Sequence, residues 1–121
     1  MANAEIISIG SELLLGQIMD TNASWMAQRL TDLGVNLFYK TVVGDNPDRM
    51  AEVIERALER SDIVITGGGL GPTQDDITRE VVAQVTNRKL VKEPELVLQL
   101  QERFQKRGMI MTLNNERQAF I

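Results

Sequence analysis

Apolar residues fall along this chain in short bursts, and each change in their spacing marks an element. AEIISI at 4–9 is a largely apolar run that stops at Gly10, the pattern of a buried strand. The next segment, SELLLGQIMDTN, carries glycines at its margins and has no clear period. Helical spacing then sets in, with Ala23, Met26, Ala27 and Leu30 at i, i+3, i+4 and i+7. This predicts a helix from about Asn22, with Leu33 extending its face and Gly34 supplying the stop. Met26 reads as core, while Trp25 stays unassigned between surface and interface. VNLFYKTVV at 35–43 is rich in β-branched and aromatic residues and reads as a second strand.

GDNPDRM signals a helix start. Asn46 suits the cap, Pro47 the first helical position, and Asp48 the positive helix end. Met50, Ile54, Ala57 and Leu58 then line one face up to Arg60. DIVIT is the third strand and runs into a glycine loop. A helix over 77–85, opening near Asp76, is predicted next, although three valines make it a weak former in isolation. Pro94 opens a longer helix through Phe104, closed by Lys106, Arg107 and Gly108. Strands alternating with helices require a mainly parallel sheet with helices on its faces, an α/β chain. No repeat, low-complexity tract or linker divides residues 1–121, so a single domain is expected. The tail MIMTLNNERQAFI restarts apolar character without a closing strand. That suggests the front part of a longer domain, with an edge or face uncovered after Leu113 and poor packing near Ala119.

Composition narrows the chemistry. At 121 residues, 43% hydrophobic and 25% charged, the chain fits one globular domain. A net charge of −4 argues against non-specific nucleic-acid binding, which draws on a surplus of Lys and Arg. No apolar stretch approaches a membrane span, and MANAEIISIG lacks the basic flank and cleavage site of a signal peptide. A cytoplasmic protein is the expectation. Cys and His are both absent, which excludes disulfides, Cys/His zinc sites and any Ser–His–Asp or Cys–His triad. Carboxylates with a hard cation such as Mg²⁺ remain the natural chemistry.

Attention therefore falls on DIVITGGGLGPTQDD at 62–76, where four glycines crowd into five residues before Pro-Thr and two acids. A P-loop needs a Lys after its glycines, and none follows here. A dinucleotide fingerprint needs G-x-G-x-x-G after the first strand, whereas this loop breaks the pattern and follows the third. The broader rule survives: open α/β sheets bind ligands beyond the carboxyl ends of their strands, where glycines let backbone N–H groups approach an anion. The alternative is that the glycines only relieve awkward backbone angles and Asp75 or Asp76 caps the following helix. Aspartates beside a phosphate make sense if a metal mediates or one acid serves a reaction. Thr73 and Thr78 carry hydroxyls suited to phosphate oxygens, and Arg79 reads as the only cation near the loop.

ISIGSELLLGQIMDTN, VVGDN, ITGGGLGPTQDDIT and NNERQA together resemble the N-terminal domain of the competence- and damage-inducible CinA proteins, within the molybdopterin-binding superfamily. The resemblance runs along essentially the whole chain. It implies a three-layer α/β/α fold, homo-oligomeric assembly, and a nucleotide or pterin phosphate held by the loops. It also implies metal-dependent hydrolysis of ADP-ribose to AMP and ribose phosphate, with Mg²⁺, Mn²⁺ or Co²⁺. A non-catalytic module holding molybdopterin or a nucleotide is the other reading. The deamidase domain that follows in many CinA proteins has no counterpart in these residues. The family's domain also continues past NNERQA to a second glycine-rich loop.

Carried over position by position, the catalytic acids are Asp76 in DDIT and Asp45 in VVGDN, at the ends of strands expected to be adjacent. Asp45 reads equally as a turn acid in Gly-Asp-Asn-Pro. Glu12 opens on the same sheet edge, and with Asp45 and Asp76 it would complete a metal site; otherwise it is an exposed loop acid. Ligand contacts are expected from Gly10, Ser11, Glu12 and Asn22, although an Asn at a helix start also suits a cap. The glycine loop adds Gly68, Gly69, Leu70, Gly71, Pro72, Thr73, Asp75 and Thr78.

Overall fold

The structure is a computed structural model and describes residues 2–121, apart from the Asn114 side chain. The chain forms two compact units, Met1–Gly69 and Leu70–Ile121.

The first unit holds β1 (Asn3–Ile9), α1 (Ser11–Leu14), α2 (Thr21–Asp32), β2 (Asn36–Val43), α3 (Pro47–Arg60) and β3 (Ile63–Gly67). The three strands are parallel in the order β2-β1-β3. Being central, β1 is buried along nearly its whole length, which explains its continuous apolar run. On the β2 side, pairing steps from Ala4–Leu37 to Glu5–Tyr39, so Phe38 bulges out of register. The crossover β1-α2-β2 runs to one side of β1, and β2-α3-β3 returns across it. Right-handed crossovers therefore put α2 and α3 on opposite faces of the sheet. Ala4 and Ile6 pack with Ala23, Leu30, Met26 and Ala27 of α2. Glu5, next along the pleat, meets the end of α3 instead, and Met50, Ile54 and Ala57 of that helix are buried. Helix, sheet and helix make three layers.

Local signals explain the helix starts. Asn46 Oδ1 accepts the Arg49 N–H at 3.0 Å, with Pro47 at the first helical position. The cap of α2 is Asp20, whose Oδ1 accepts the Ala23 N–H at 3.1 Å. Asn22 is thus the second helical residue, not the cap. Leu33 and Leu58 are exposed, at 77% and 46%, so both apolar faces are narrower than their spacing suggests.

At the amino end of β1, Glu5 is fully buried and meets Arg60 through Nε at 2.5 Å and a second guanidinium nitrogen at 3.0 Å. Ser61 Oγ adds a bond of 2.7 Å, and the guanidinium lies 3.5 Å from the Tyr39 ring centre. The Arg60 hydrogen bonds hold the Glu5 carboxyl below its ordinary value against the opposing effect of burial.

The second unit holds α4 (Thr78–Thr86), α5 (Pro94–Lys106), α6 (Leu113–Glu116) and a 3₁₀ turn at Arg117–Ala119. Its helix α4 starts at Thr78, with Ile77 at the cap position and no side-chain cap bond. The expected poor packing near Ala119 is overturned. Ala119 is fully buried, its carbonyl accepts the Glu93 N–H at 2.9 Å, and Val91 and Ile121 exchange two backbone bonds. Phe120 forms an antiparallel bridge with Lys92, and Lys92 pairs with Glu116. The tail is stitched down because 91–93 offers it backbone partners, a pairing that apolar spacing does not encode.

Candidate functional site

In the first unit, the carboxyl ends of the strands release three short loops. The Gly10 N–H donates to Val43 O at 2.9 Å and brings the β1 and β2 exits together. Ser11 and Asp45 then bind each other reciprocally. Asp45 Oδ2 accepts the Ser11 N–H at 3.2 Å and the Ser11 hydroxyl at 3.3 Å, and Ser11 Oγ also lies 3.3 Å from the Asp45 N–H. Asp45 is therefore more than a turn acid of its own loop, since it fixes the start of α1. Glu12 folds back over Gly10, where an added Cβ would come within 2.6 Å of Oε1.

Glycine at 68 is dictated by geometry. Its φ is +102°, and a Cβ there would lie 2.2 Å from the Ile9 carbonyl oxygen. Beside it opens a cavity of about 260 Å³, lined by polar groups of Ser8, Glu12, Asp20, Asn22, Gly67 and Gly68 and walled by Ile18, Met19 and Met26. Glu12, Asn22 and Gly68, three of the expected ligand residues, thus share one cavity. Apolar walls with a few convergent polar groups are the usual make-up of a small-ligand site.

In the second unit the glycine loop continues from Leu70, and its centre is Asp76. Asp76 Oδ2 accepts the Thr73 N–H at 3.0 Å and the Thr73 hydroxyl at 2.6 Å. The Thr73 hydroxyl, then its N–H and that of Gly71, hold the Asp76 carboxyl below its ordinary value, with Arg79 adding a smaller attraction. A Cβ on Gly71 would fall 2.5 Å from this carboxylate. Asp76 therefore does not cap α4; it is an ionised group folded back onto the loop. The donors of Thr73, expected to face a ligand phosphate, hold this carboxylate here. Thr78 is buried at the start of α4, whereas Asp75 and Leu70 are exposed.

Two arginines serve the loop, where the sequence suggested one. Arg79 donates to the carbonyls of Leu70 at 2.6 Å and Gly71 at 3.2 Å. Arg117 donates to Thr73 O at 2.6 Å, Asp76 O at 3.0 Å and Glu80 Oε1 at 2.9 Å, with Pro72 O at 3.5 Å. Burial pushes the Glu80 carboxyl up, but Arg117 and other hydrogen bonds outweigh it and leave the group below its ordinary value. Arg117 lies in NNERQA, which carried no assigned role.

One expectation needs correction. Asp45 and Asp76 do not follow adjacent strands, because β1 lies between β2 and β3. Among the described residues, no cluster of three or more acidic side chains stands ready to hold a metal ion. The acids present still fit a hard cation chemically. Mg²⁺ is commonly held by one or two carboxylates, waters and substrate phosphates rather than by an all-protein cage. Among the described residues, no helix is long and apolar enough to cross a membrane.

Comparison with known proteins agrees with this architecture. A family model described as a probable molybdopterin binding domain matches residues 5–121. A CinA-like protein of Dictyoglomus turgidum is 50% identical over 117 residues, covering 97% of this chain and 28% of that protein. A CinA-like protein of Trichormus variabilis is 49% identical over 119 residues, covering 98% and 29%. The chain thus spans under a third of the length of these relatives. The crystal structure of CinA from Thermoplasma acidophilum superposes with a TM-score of 0.89 at 33% identity, over 99% of this chain and 70% of that one. The molybdopterin biosynthesis enzyme MoaB of Thermus thermophilus shares the fold, with a TM-score of 0.68 at 21% identity, over 84% and 64%. A parallel sheet with a helix on each face, an acid-bearing glycine loop after its third strand and these matches together place the chain in the molybdopterin-binding domain family, on its CinA-like branch.

Proposed function

We propose that this chain is the nucleotide-handling domain of a metal-dependent hydrolase that splits the pyrophosphate bond of ADP-ribose. The observation that supports this most is Asp76, an acid kept ionised and oriented by Thr73 within the glycine loop. A carboxyl held below its ordinary value is a poor proton acceptor near neutrality, but it suits a cation. Asp76 in the second unit, and separately Asp45 or Glu12 in the first, are the candidate ligands for Mg²⁺, Mn²⁺ or Co²⁺. Such a cation would neutralise phosphate charge and lower the pKa of a bound water. In the reaction, water adds to one phosphorus and the bridging oxygen leaves with the other phosphate. The products are AMP and ribose phosphate.

A second reading, a binding module for molybdopterin or a nucleotide without turnover, draws on the family model described as a probable molybdopterin binding domain. One experiment separates the two. The 121-residue chain is incubated with ADP-ribose and each cation, and AMP is followed by chromatography. Metal-dependent AMP release supports the hydrolase. Saturable binding of ADP-ribose with no AMP under any cation supports the module and refutes the hydrolase.

A further inference from the structure

We propose that Arg117 is a positioning residue of the glycine loop: with Arg79, it draws the loop's carbonyl groups to one side and so turns its N–H groups to the other, where those of Gly71 and Thr73 fix Asp76 and those of Gln74 and Ile77 face an anion. The inference rests on the reading of 67–76 as a phosphate loop and adds the device that shapes it.

No cis peptide occurs among the described residues, and in a trans peptide the carbonyl of one residue points opposite to the N–H of the next. Arg79 holds the Leu70 carbonyl and Arg117 approaches that of Pro72. Their peptide partners are the N–H groups of Gly71 and Thr73, and these two are the backbone donors that serve the Asp76 carboxylate. The same logic carries on along the chain. Arg117 holds the Thr73 and Asp76 carbonyls, which turns the N–H groups of Gln74 and Ile77 away from the guanidinium. The Gly71 carbonyl, also held by Arg79, precedes Pro72, which has no N–H to present.

Only a planar, multi-donor cation can serve so many acceptors at once; an ammonium is a point charge with three donors on a flexible stem. Arg117 meets three carbonyl oxygens and one carboxylate oxygen. The cluster also carries a polar cost, since Arg79 Nε and Glu80 Oε2 are buried without a hydrogen-bond partner.

Inorganic pyrophosphate is a suitable probe, because it asks only for an anion site and leaves ADP-ribose to its own assay. The 121-residue chain and its Arg117→Lys variant are titrated with Mg²⁺-pyrophosphate by calorimetry, and their amide spectra are compared. Positioning predicts a roughly tenfold weaker affinity in the variant, with amide shifts confined to 70–80 and to the neighbours of residue 117. Equal affinities overturn the proposal, as does a parent chain that binds no pyrophosphate. If Arg117→Lys unfolds, Arg79→Lys gives the second arm, since it releases two carbonyls and leaves the tail's own contacts in place; unchanged affinity there overturns the proposal as well. A parent that binds pyrophosphate through Arg117 but releases no AMP from ADP-ribose refutes the hydrolase and leaves the clamp standing. AMP release with equal pyrophosphate affinities does the reverse.

Discussion

Glu5 and Asp76, like Glu80, are held below their ordinary pKa values, and these two differ most in what holds them. Glu5 lies at the amino end of the central strand, sealed from solvent and gripped by the Arg60 fork, with Ser61 behind it. Asp76 lies in the glycine loop, only partly buried and held by a hydroxyl and backbone N–H groups rather than by a guanidinium. A buried acid matched by a full countercharge is a closed unit whose loss is felt as stability. An acid held mainly by neutral donors, with Arg79 adding only a smaller attraction, keeps charge available to a cation. The contrast separates a structural acid from a working one by the chemistry of the partners alone.

The largest effect is expected at Asp76. Asp76→Asn keeps the volume and removes the charge offered to a cation, so hydrolysis should fall by about 10²-fold or more, the scale of a lost catalytic group. Thermal stability should change by no more than about 1 kcal/mol, because the side chain caps no helix. Steady-state rates at saturating metal, with melting curves, check both; comparable rates for parent and variant would remove Asp76 from the reaction.

Glu5→Gln should show the opposite pattern. It leaves Arg60 without its countercharge and should cost about 2 kcal/mol, below the full range for broken buried pairs because Arg60 stays about one-third exposed. A chain of this size should then melt about 8 °C lower, with turnover by the folded protein unchanged. The pH dependence sharpens the test. Because the folded-state pKa of Glu5 is depressed, its contribution is fully present above the unfolded value near 4.5 and is lost as pH falls through the lower folded value. The gap in melting temperature between parent and variant should therefore narrow on acidification below about pH 4.5. A gap that stays constant from pH 7 to pH 3 would contradict the ion pair's role.

A smaller change is expected from Thr73→Val, which deletes the hydroxyl that contributes most to the low Asp76 pKa. The Asp76 carboxyl should titrate closer to its ordinary value, a shift readable from its side-chain carbon signal. Stability should fall by about 1 kcal/mol or less, the worth of one part-exposed hydrogen bond. An unmoved titration would show that backbone donors alone hold the charge.

What the sequence made legible follows from range. Signals carried by neighbouring residues were read correctly: Asn46-Pro47 opens α3, and the 4–9 run is a buried strand. The α2 start falls within one residue of its expected place, at Thr21, although Asp20 and Asn22 are both good caps and only the fold decides which one precedes the first turn. Leu33 and Leu58 match the helical period yet lie exposed, since period shows direction but not how wide a face the sheet covers. Chain order did not reveal that β1 separates β2 from β3. At the site, the acids and glycines stood out because they cluster in sequence. Arg117 did not, for its acceptors lie 37 to 45 residues away and leave no periodic trace. The one available sign was an arginine in the NNERQA motif without an assigned partner.

The central claim, that the glycine loop and its acid hold the phosphates of a nucleotide with a cation, is tested most directly by mapping the ligand onto the backbone. ADP-ribose is titrated with Mg²⁺ into the isotope-labelled 121-residue chain while its amide signals are followed. The account predicts saturable shifts at 67–77, much reduced without Mg²⁺ and in Asp76→Asn. Saturable shifts centred elsewhere, or the same shifts with and without the cation, would contradict it.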